Sequence, residues 1–289
     1  SSERQMCIRD RMTMFEMDLW MSMAYFIEQQ VDYCIIEAGM GGRLDATTAL
    51  DYKACLITNV GLDHTEYLGD TFEQIAYEKS GVFKPNVPAL TTEDKPECQK
   101  VMELVADYMK TPLCFIDCQE TDVLRWNGMT FHLNPPLYQA KNLSLALETL
   151  NVLGIWLEEN EIQQVIDHFQ WAGRYMVLRK DPLVLLDGAH NVHGITALIQ
   201  SLKDFTGKIY FSVLKEKDAP HMIELLQSIS KDITLVEISS ARLYPLEELG
   251  YPIITVDELI SRLLDTKEDS LLCGSLYYVG EVLEKWGNV

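Results

Sequence analysis

A carboxylate followed by a glycine-rich turn is the first feature of the chain that could do chemistry. Glu37 ends an apolar run, and Gly39, Gly41 and Gly42 follow it within the stretch Glu37–Thr48. A carboxylate can bind a hard cation, and clustered glycines let the backbone approach an anion closely. The pattern predicts a phosphate or metal site.

An imidazole follows a second apolar run. We predict that Val31–Ile36 and Cys55–Val60 are buried strands, so that Glu37 and His64 follow their carboxyl ends. Adjacent parallel strands would place both side chains in one crevice, where open α/β sheets bind ligands. A neutral histidine nitrogen can bind a divalent cation, although an isolated histidine is more often an ordinary loop or core residue.

A lysine ends a short helix whose boundaries are marked in the sequence. Thr71 and Gln74 form a capping-box pattern, and Gly81 terminates the helical stretch. Lys79 lies in the last turn, where a cation also complements the helix dipole without any functional role. Both interpretations of Lys79 stay open on the residues alone.

A third cluster follows the hydrophobic run Leu183–Leu186. Asp187 and His190 lie at a predicted strand-to-helix junction, which can hold a phosphate or ribose. A helix cap at Asn191 or a tight turn explains the same residues structurally. Arg174 follows a glycine and is either a phosphate-binding fork or a surface arginine.

Composition limits the function classes. The 289 residues carry a formal net charge of −20 with no basic stripe, which argues against nucleic acid or an anionic membrane as the main partner. Seven cysteines lie without C-x-x-C spacing, so we expect the reducing cytoplasm and no disulfide framework. No run approaches about 18 apolar residues, and no secretory signal opens the chain.

Strand-like and helical patterns alternate along the chain, which predicts an α/β protein with mostly parallel sheets. The periodicity of Thr13–Gln30 indicates a core-facing helix. The later strand-like runs are Leu183–Leu186, Ile209–Leu214 and Ile233–Ile238, and further helices are expected around residues 97–108, 143–153 and 161–169. Residues 1–12 are expected to be a non-native leader, followed by one domain over 13–172 and a second over 173–289.

Taken in order and spacing, these segments resemble the folylpolyglutamate synthase and dihydrofolate synthase family of the Mur ligase superfamily. The blocks that carry the resemblance are Glu37–Thr48, Ile57–Leu68, Gly69–Lys84, Gln139–Asn142, Gly173-Arg174, Asp187–Asn191 and Gly274–Tyr277. The resemblance implies a partial, mostly parallel ATPase domain of the Mur ligase type. A smaller Rossmann-like glutamate-ligase domain would follow it.

The family joins L-glutamate to dihydropteroate or to the γ-carboxylate of a reduced folate, using ATP through an acyl phosphate. The resemblance therefore implies ATP and Mg²⁺ as cofactors and a monomeric full-length enzyme. The residues that it marks as magnesium ligands and catalytic groups are Glu37, His64 and Lys79, the lysine as a carbamate. The residues that it marks as nucleotide-binding are Asn142, Arg174, Asp187 and His190.

The sequence departs from the family pattern in several places. Thr48, Met176 and Val192 replace residues that are often asparagine, acidic and proline. More seriously, no G-x-x-x-x-G-K-[S/T] motif occurs, whereas the family begins with a strand and a P-loop. We expect a chain truncated at its amino terminus, with little or no ligase activity alone and an exposed sheet edge.

Two other functions stay open. One is a Mur-type ligase that adds an amino acid to a cell-wall precursor. The motifs at Gly41–Thr47 and Asp187–Asn191 favour the folate branch over this alternative. The other is a non-catalytic binding module that keeps the carboxyl-terminal domain.

Overall fold

The computed structural model describes residues 12–119, 121–134, 136–202 and 204–287. Of the expected leader, all but residue 12 lies outside the described residues. Contacts divide the chain into two units: the first runs to Cys118 and includes Ser144–Trp156, and the second takes the remainder. Residues 119–143 and 157–172 thus group with the second unit. The boundary between the two domains expected from the sequence, at residues 172/173, stays a prediction.

The first unit is built on a short parallel sheet. Its elements are α1 (Met14–Gln29), β1 (Cys55–Ile57), α2 (Thr65–Leu68), α3 (Phe72–Ser80), β2 (Ala89–Thr91), α4 (Pro96–Met109) and β3 (Leu113–Phe115), with a 3₁₀ turn at Ala46–Ala49. The strands pair in the order β1-β2-β3, all parallel. Apolar side chains of α3 and α4, among them Ile75 and Met102, bury one face of this sheet.

The local signals of α3 act as predicted. The Thr71 side chain accepts a hydrogen bond from the amide of Gln74, the Gln74 side chain accepts one from the amide of Thr71, and Gly81 is the carboxyl-terminal cap. These bonds satisfy backbone groups that a helix terminus otherwise leaves unpaired. The helix therefore begins and ends at the residues that the sequence indicates, and Lys79 lies in its last turn.

Two predictions for the start of the chain are wrong. Val31–Ile36 is not a strand, and Ile35 is 95% exposed. Helix α1 forms with the predicted periodicity, but none of its 16 residues is buried, and Ile27 is 78% exposed. Among the described residues, Val31–Ile36 pairs with no strand. Helix α1 contacts the 3₁₀ turn at Ala46–Ala49 but buries none of its side chains fully.

The same absence of a partner is visible at the edge of the sheet. In the described ranges β1 pairs with β2 alone, and Leu56 is exposed. An edge of this kind was predicted. Backbone groups on an unpaired edge are available to another strand.

The second unit contains a hairpin and a larger sheet. The hairpin joins β4 (Val123–Trp126) to β5 (Met129–His132), and α6 (Glu159–His168) belongs to the same unit. Helix α5 (Gln139–Val152) lies between them in sequence, and its residues from Ser144 onward group with the first unit. The remaining elements are β6 (Met176–Lys180), β7 (Leu183–Leu186), α7 (Val192–Ser201), β8 (Lys208–Phe211), α8 (Ala219–Leu226), β9 (Ile233–Glu237), β10 (Ile253–Thr255), α9 (Val256–Asp265), β11 (Ser270–Cys273) and α10 (Leu276–Trp286).

The larger sheet is buried on both faces. Its strand order is β10-β9-β8-β11-β7-β6, parallel throughout except for β6, which runs antiparallel to β7. Leu185 belongs to the apolar cluster with α7 and α8, whereas its neighbours Val184 and Leu186 belong to the cluster with α9 and α10. This alternation gives three layers and confirms the predicted α/β fold class.

Within the part of the chain that the structure describes, no helix combines the length and the apolar character that crossing a bilayer requires.

Candidate functional site

The glycine-rich segment after Glu37 packs against the end of α3. The amide of Arg43 donates to the carbonyl of Glu78 at 2.8 Å, and the Arg43 guanidinium binds the Glu78 carboxylate at 2.8 and 2.9 Å. A Cβ on Gly42 would lie 2.7 Å from the carbonyl oxygen of Lys79. Gly42 is therefore needed for close backbone packing, which differs from the phosphate cradle that the glycines first suggest.

The departure at Thr48 has a local structural explanation. The Thr48 hydroxyl donates to the carbonyl of Gly42 at 2.5 Å, and its own carbonyl accepts from the ammonium of Lys84. Asp45 caps the following 3₁₀ turn and accepts from the amide of Met40 at 3.0 Å. These bonds fix the path of the segment that begins at Glu37.

Lys79 lies within the electrostatic reach of two carboxylates. Burial lowers the pKa of Lys79, and the negative charges of Asp63 and Glu37 oppose this shift. The structure thus places Glu37 within electrostatic range of Lys79, and the family resemblance marks both residues as metal ligands. The structure adds Asp63, which was not singled out although it directly precedes His64.

The loop that carries Asp63 is held just after β1 by an ion pair between buried Glu93 and half-buried Lys95. Glu93 is 2% exposed and accepts from the amide of Val60 at 2.5 Å. The Lys95 ammonium donates to the carbonyl of Val60 at 3.0 Å and to Glu93 at 3.1 Å. Both backbone groups of Val60 are thereby held, so the pair positions the residues that follow.

His64 is exposed and adopts a left-handed conformation (φ 53°) at the start of α2. Its amide donates to the carboxylate of Asp63 at 2.9 Å. This bond involves the backbone of His64, and the imidazole is close to Asp63 in sequence. Among the described residues, the imidazole forms no hydrogen bond or ion pair with Glu37 or Lys79.

The donor set of this cluster can accommodate a hard cation once Lys79 is modified. Among the described residues, no group of three or more histidine, cysteine, aspartate or glutamate side chains is arranged to hold a metal. An ammonium at Lys79 would repel a cation, whereas a carbamate would add anionic oxygens to the carboxylates of Glu37 and Asp63. The residues therefore fit Mg²⁺ in the carbamylated state.

A second candidate cluster lies at the carboxyl end of β7, in the second unit. The carboxylate of Asp187 is 3% exposed and accepts from the amides of Tyr175 and Ala189, each at 2.7 Å. Burial raises the pKa of Asp187, while these amides and the charges of Arg174 and His190 pull it down. Three of the four predicted nucleotide-binding residues are thus close together.

A tyrosine that the sequence analysis missed joins this cluster. Burial and the charge of Asp187 raise the pKa of Tyr138, and Arg174 opposes the shift. Asn142, one helical turn later, is exposed and donates to Gln139 at 2.9 Å. Tyr138 lies in the turn directly before α5, and no local pattern in the sequence marks it.

The remaining residues of the β7 loop serve the backbone. A ring nitrogen of His190 lies 2.8 Å from the carbonyl of Gly188. Asn191 caps α7 by accepting from the amide of Gly194 at 2.7 Å, which confirms its cap interpretation. A Cβ on Gly188 would lie 2.4 Å from Leu276, so the loop also packs against the predicted block at Gly274–Tyr277.

Comparison with known proteins shows which class of enzyme this chain resembles. Residues 8–133 match the Mur ligase middle domain. A dihydrofolate synthase/folylpolyglutamate synthase of Bacillus subtilis is 28% identical over 310 residues, which cover 94% of this chain and 72% of the relative. The fold and these matches define a Mur-type ligase.

Solved structures agree with this class. FolC of Escherichia coli, in complex with ADP, has a TM-score of 0.84 at 28% identity, covering 96% of this chain and 72% of that structure. The bifunctional folylpolyglutamate synthase/dihydrofolate synthase of Yersinia pestis, complexed with AMPPNP and a Mn ion, has a TM-score of 0.84 at 25% identity with the same coverage. The chain is homologous to the folylpolyglutamate synthases and dihydrofolate synthases.

Proposed function

We propose that the chain carries part of the machinery of an ATP-dependent ligase that joins L-glutamate to dihydropteroate or to the γ-carboxylate of a reduced folate. An acyl phosphate would be the intermediate. Homology to folylpolyglutamate and dihydrofolate synthases supports this proposal, and the half-buried Lys79 beside Glu37 and Asp63 is the observation that carries it. The activity of these 289 residues alone stays a prediction, since they contain no P-loop motif.

The first unit would supply the metal ligands. Its free Lys79 amine would attack carbon dioxide, forming an N–C bond and releasing one proton, which leaves an anionic carbamate. A lowered pKa increases the fraction of free amine and therefore favours this step. Glu37, His64 and the carbamate would then hold Mg²⁺, and Asp63 is an additional candidate. The bound Mg²⁺ would offset negative charge on ATP phosphates.

The second unit would contact the nucleotide. Arg174 is the residue best suited to phosphate, since its guanidinium is permanently charged and offers several donors. His190 and Asn142 would contribute further contacts, with Asp187 supporting the loop. We expect the full-length enzyme to be a cytoplasmic monomer.

Carbamylation of Lys79 tests the metal half of the proposal. Carbon-13 NMR in labelled bicarbonate should show a protein carbamate signal for the unaltered chain. Lys79→Gln should abolish the signal, whereas Lys100→Gln, an exposed position on α4, should keep it. A signal that persists in Lys79→Gln would contradict the assignment.

Ligand-dependent thermal shifts test the substrate class. With Mg²⁺ and ATP present, dihydropteroate should raise the melting temperature, and a UDP-linked muramoyl precursor should not. The reverse result would favour the cell-wall branch. Shifts with neither compound, together with retained nucleotide binding, would favour a binding module.

A further inference from the structure

A cavity of about 430 Å³ lies in the second unit, between the larger sheet and α9. Its floor contains Tyr210 of β8 and Thr234 of β9, which are neighbours across the two paired strands. Its rim carries four charged side chains, those of Lys208, Asp232, Arg262 and Asp265. The volume falls within the range of about 300–1,000 Å³ that is typical of small-molecule sites.

The cavity lies at the opposite edge of the sheet from the cluster around Asp187. Lys208 begins β8 and Asp232 directly precedes β9, so the cavity opens at the amino-terminal ends of these strands. Asp187 follows the carboxyl end of β7, and β7, β8 and β9 all run in the same direction. The cavity is therefore separate from the proposed nucleotide cluster.

The floor of the cavity carries two hydroxyl groups that are free to bind. Tyr210 is 3% and Thr234 8% exposed, yet within the described ranges neither hydroxyl forms a hydrogen bond. Burial raises the pKa of Tyr210, and the charges of Lys208 and Arg262 oppose this shift. The phenol is thus protonated at neutral pH and can donate. Since buried polar groups are normally hydrogen-bonded, both hydroxyls favour a polar ligand in the cavity.

The rim offers charges of both signs. Arg262 and Asp265 lie three residues apart on α9 and so share one face of the helix. In the part of the chain that the structure describes, neither of them forms an ion pair, and the exposed carboxylate of Asp232 forms none either. Lys208, by contrast, pairs with Glu268 at 2.8 Å. One guanidinium and two carboxylates are thus available to a ligand.

These charges select a class of ligand. A simple anion such as phosphate would be attracted by Arg262 but repelled by both carboxylates, and a simple cation would meet the reverse. A molecule that carries an ammonium and a carboxylate satisfies both signs. Its carboxylate can also accept a hydrogen bond from the hydroxyl of Tyr210.

We propose that this cavity is a further binding site of the chain and that it takes a small zwitterion, an amino acid or a dipeptide. Arg262 and Tyr210 bind the carboxylate of the ligand, and Asp232 and Asp265 bind its ammonium. The site shares no residue with the metal or nucleotide clusters. It is therefore independent of the proposed ligase function.

Calorimetry with blocked dipeptides tests the ligand class. Alanyl-alanine should bind the chain, whereas N-acetyl-alanyl-alanine, without the ammonium, and alanyl-alanine amide, without the carboxylate, should each bind at least about tenfold more weakly. Tighter binding of free alanine would identify an amino-acid site, and tighter binding of alanyl-alanine a dipeptide site. No binding of either zwitterion at millimolar concentration, or equal binding of blocked and unblocked forms, would overturn the proposal.

Variants of the exposed rim residues locate the binding. Arg262→Gln should weaken binding of alanyl-alanine by about tenfold and abolish its preference over the amide. Asp232→Asn combined with Asp265→Asn should abolish the preference over the acetylated form. Arg125→Gln, at an exposed position of β4, is the matched control and should change neither preference. Preferences that persist in the rim variants, or competition by Mg·ADP, would place the binding elsewhere and overturn the proposal.

Discussion

Replacing Gly42 by alanine should loosen the contact between the glycine-rich segment and α3. The added Cβ would lie 2.7 Å from the carbonyl oxygen of Lys79 and 3.0 Å from that of Glu78, both of them backbone atoms that cannot rotate away. The two segments must separate, which weakens the 2.8 Å bond from the amide of Arg43 to Glu78. The substitution therefore combines overpacking with the loss of a hydrogen bond.

The expected cost follows from these two effects. Overpacking costs about 1–3 kcal/mol and a lost hydrogen bond about 1 kcal/mol, so the first unit should lose about 2–4 kcal/mol. Hydrogen exchange of the α3 and α4 peptides across a urea series would measure this loss in the first unit alone. Gly280→Ala is the matched control, because no atom lies within 4 Å of the new Cβ inside α10. It should stabilise α10 by about 0.5–1 kcal/mol.

The two glycines together make the prediction refutable. If Gly42→Ala changes the α3 peptides by less than about 0.5 kcal/mol while Gly280→Ala behaves as expected, the segment after Glu37 is not packed against α3. The structural reason given for Gly42 would then be wrong.

Two further substitutions probe buried charges of the first unit. Wild-type stability should rise with pH between the lowered pKa of Lys79 and its ordinary value of 10.5, because the unfolded chain binds more protons there. In buffer free of bicarbonate and metal, Lys79→Met should therefore stabilise the chain most at neutral pH. Lys100→Met, at an exposed site, is the control and should not show this pH dependence. A gain in stability from Lys79→Met that is independent of pH would contradict the reasoning. Glu93→Ala leaves the amide of Val60 without its acceptor and should cost about 2–4 kcal/mol in urea unfolding. Glu103→Ala, at an exposed position, should change stability by less than about 0.5 kcal/mol. Equal losses of unfolding free energy in the two variants would refute the stabilising role of the bond between Glu93 and the amide of Val60.

Elements with local signals were predictable from the sequence. The capping box of α3 and the apolar run of β7 lie where the sequence placed them, Leu183–Leu186 to the residue. The hairpin β4–β5 was missed although Asn127-Gly128, with φ values of 47° and 82°, is a typical hairpin turn. That signal was present in the sequence and was overlooked.

Strand formation depended on more than composition. Val31–Ile36 has the residues of a buried strand, yet β-propensity mainly records how well side chains fit a packed, pleated surface. Because no described segment pairs with these residues, they form no strand, and residues 31–35 are exposed. The apolar pattern alone cannot reveal whether a partner strand is present.

In the candidate site, too, sequence motifs indicated some residues, whereas others are recognisable only in the folded structure. Glu37 and Lys79 were predicted to act together, and their electrostatic proximity agrees with that hypothesis. The roles of Glu93 and Tyr138 depend on packing between segments distant in sequence, so no local pattern could show them. Asp187 was singled out by its motif, but its two amide contacts follow from the tertiary fold.

The exposed helix α1 has a consequence for the behaviour of the chain in solution. Trp20 is 66% and Ile27 78% exposed, so α1 presents a hydrophobic surface that favours self-association. The net charge of −20 opposes this association, because like-charged molecules repel one another. Salt shortens the range of that repulsion from about 10 Å at 0.1 M to about 3 Å at 1 M. The colloidal stability of the chain should therefore fall as ionic strength rises, and monodisperse samples should be easiest to keep in dilute buffer.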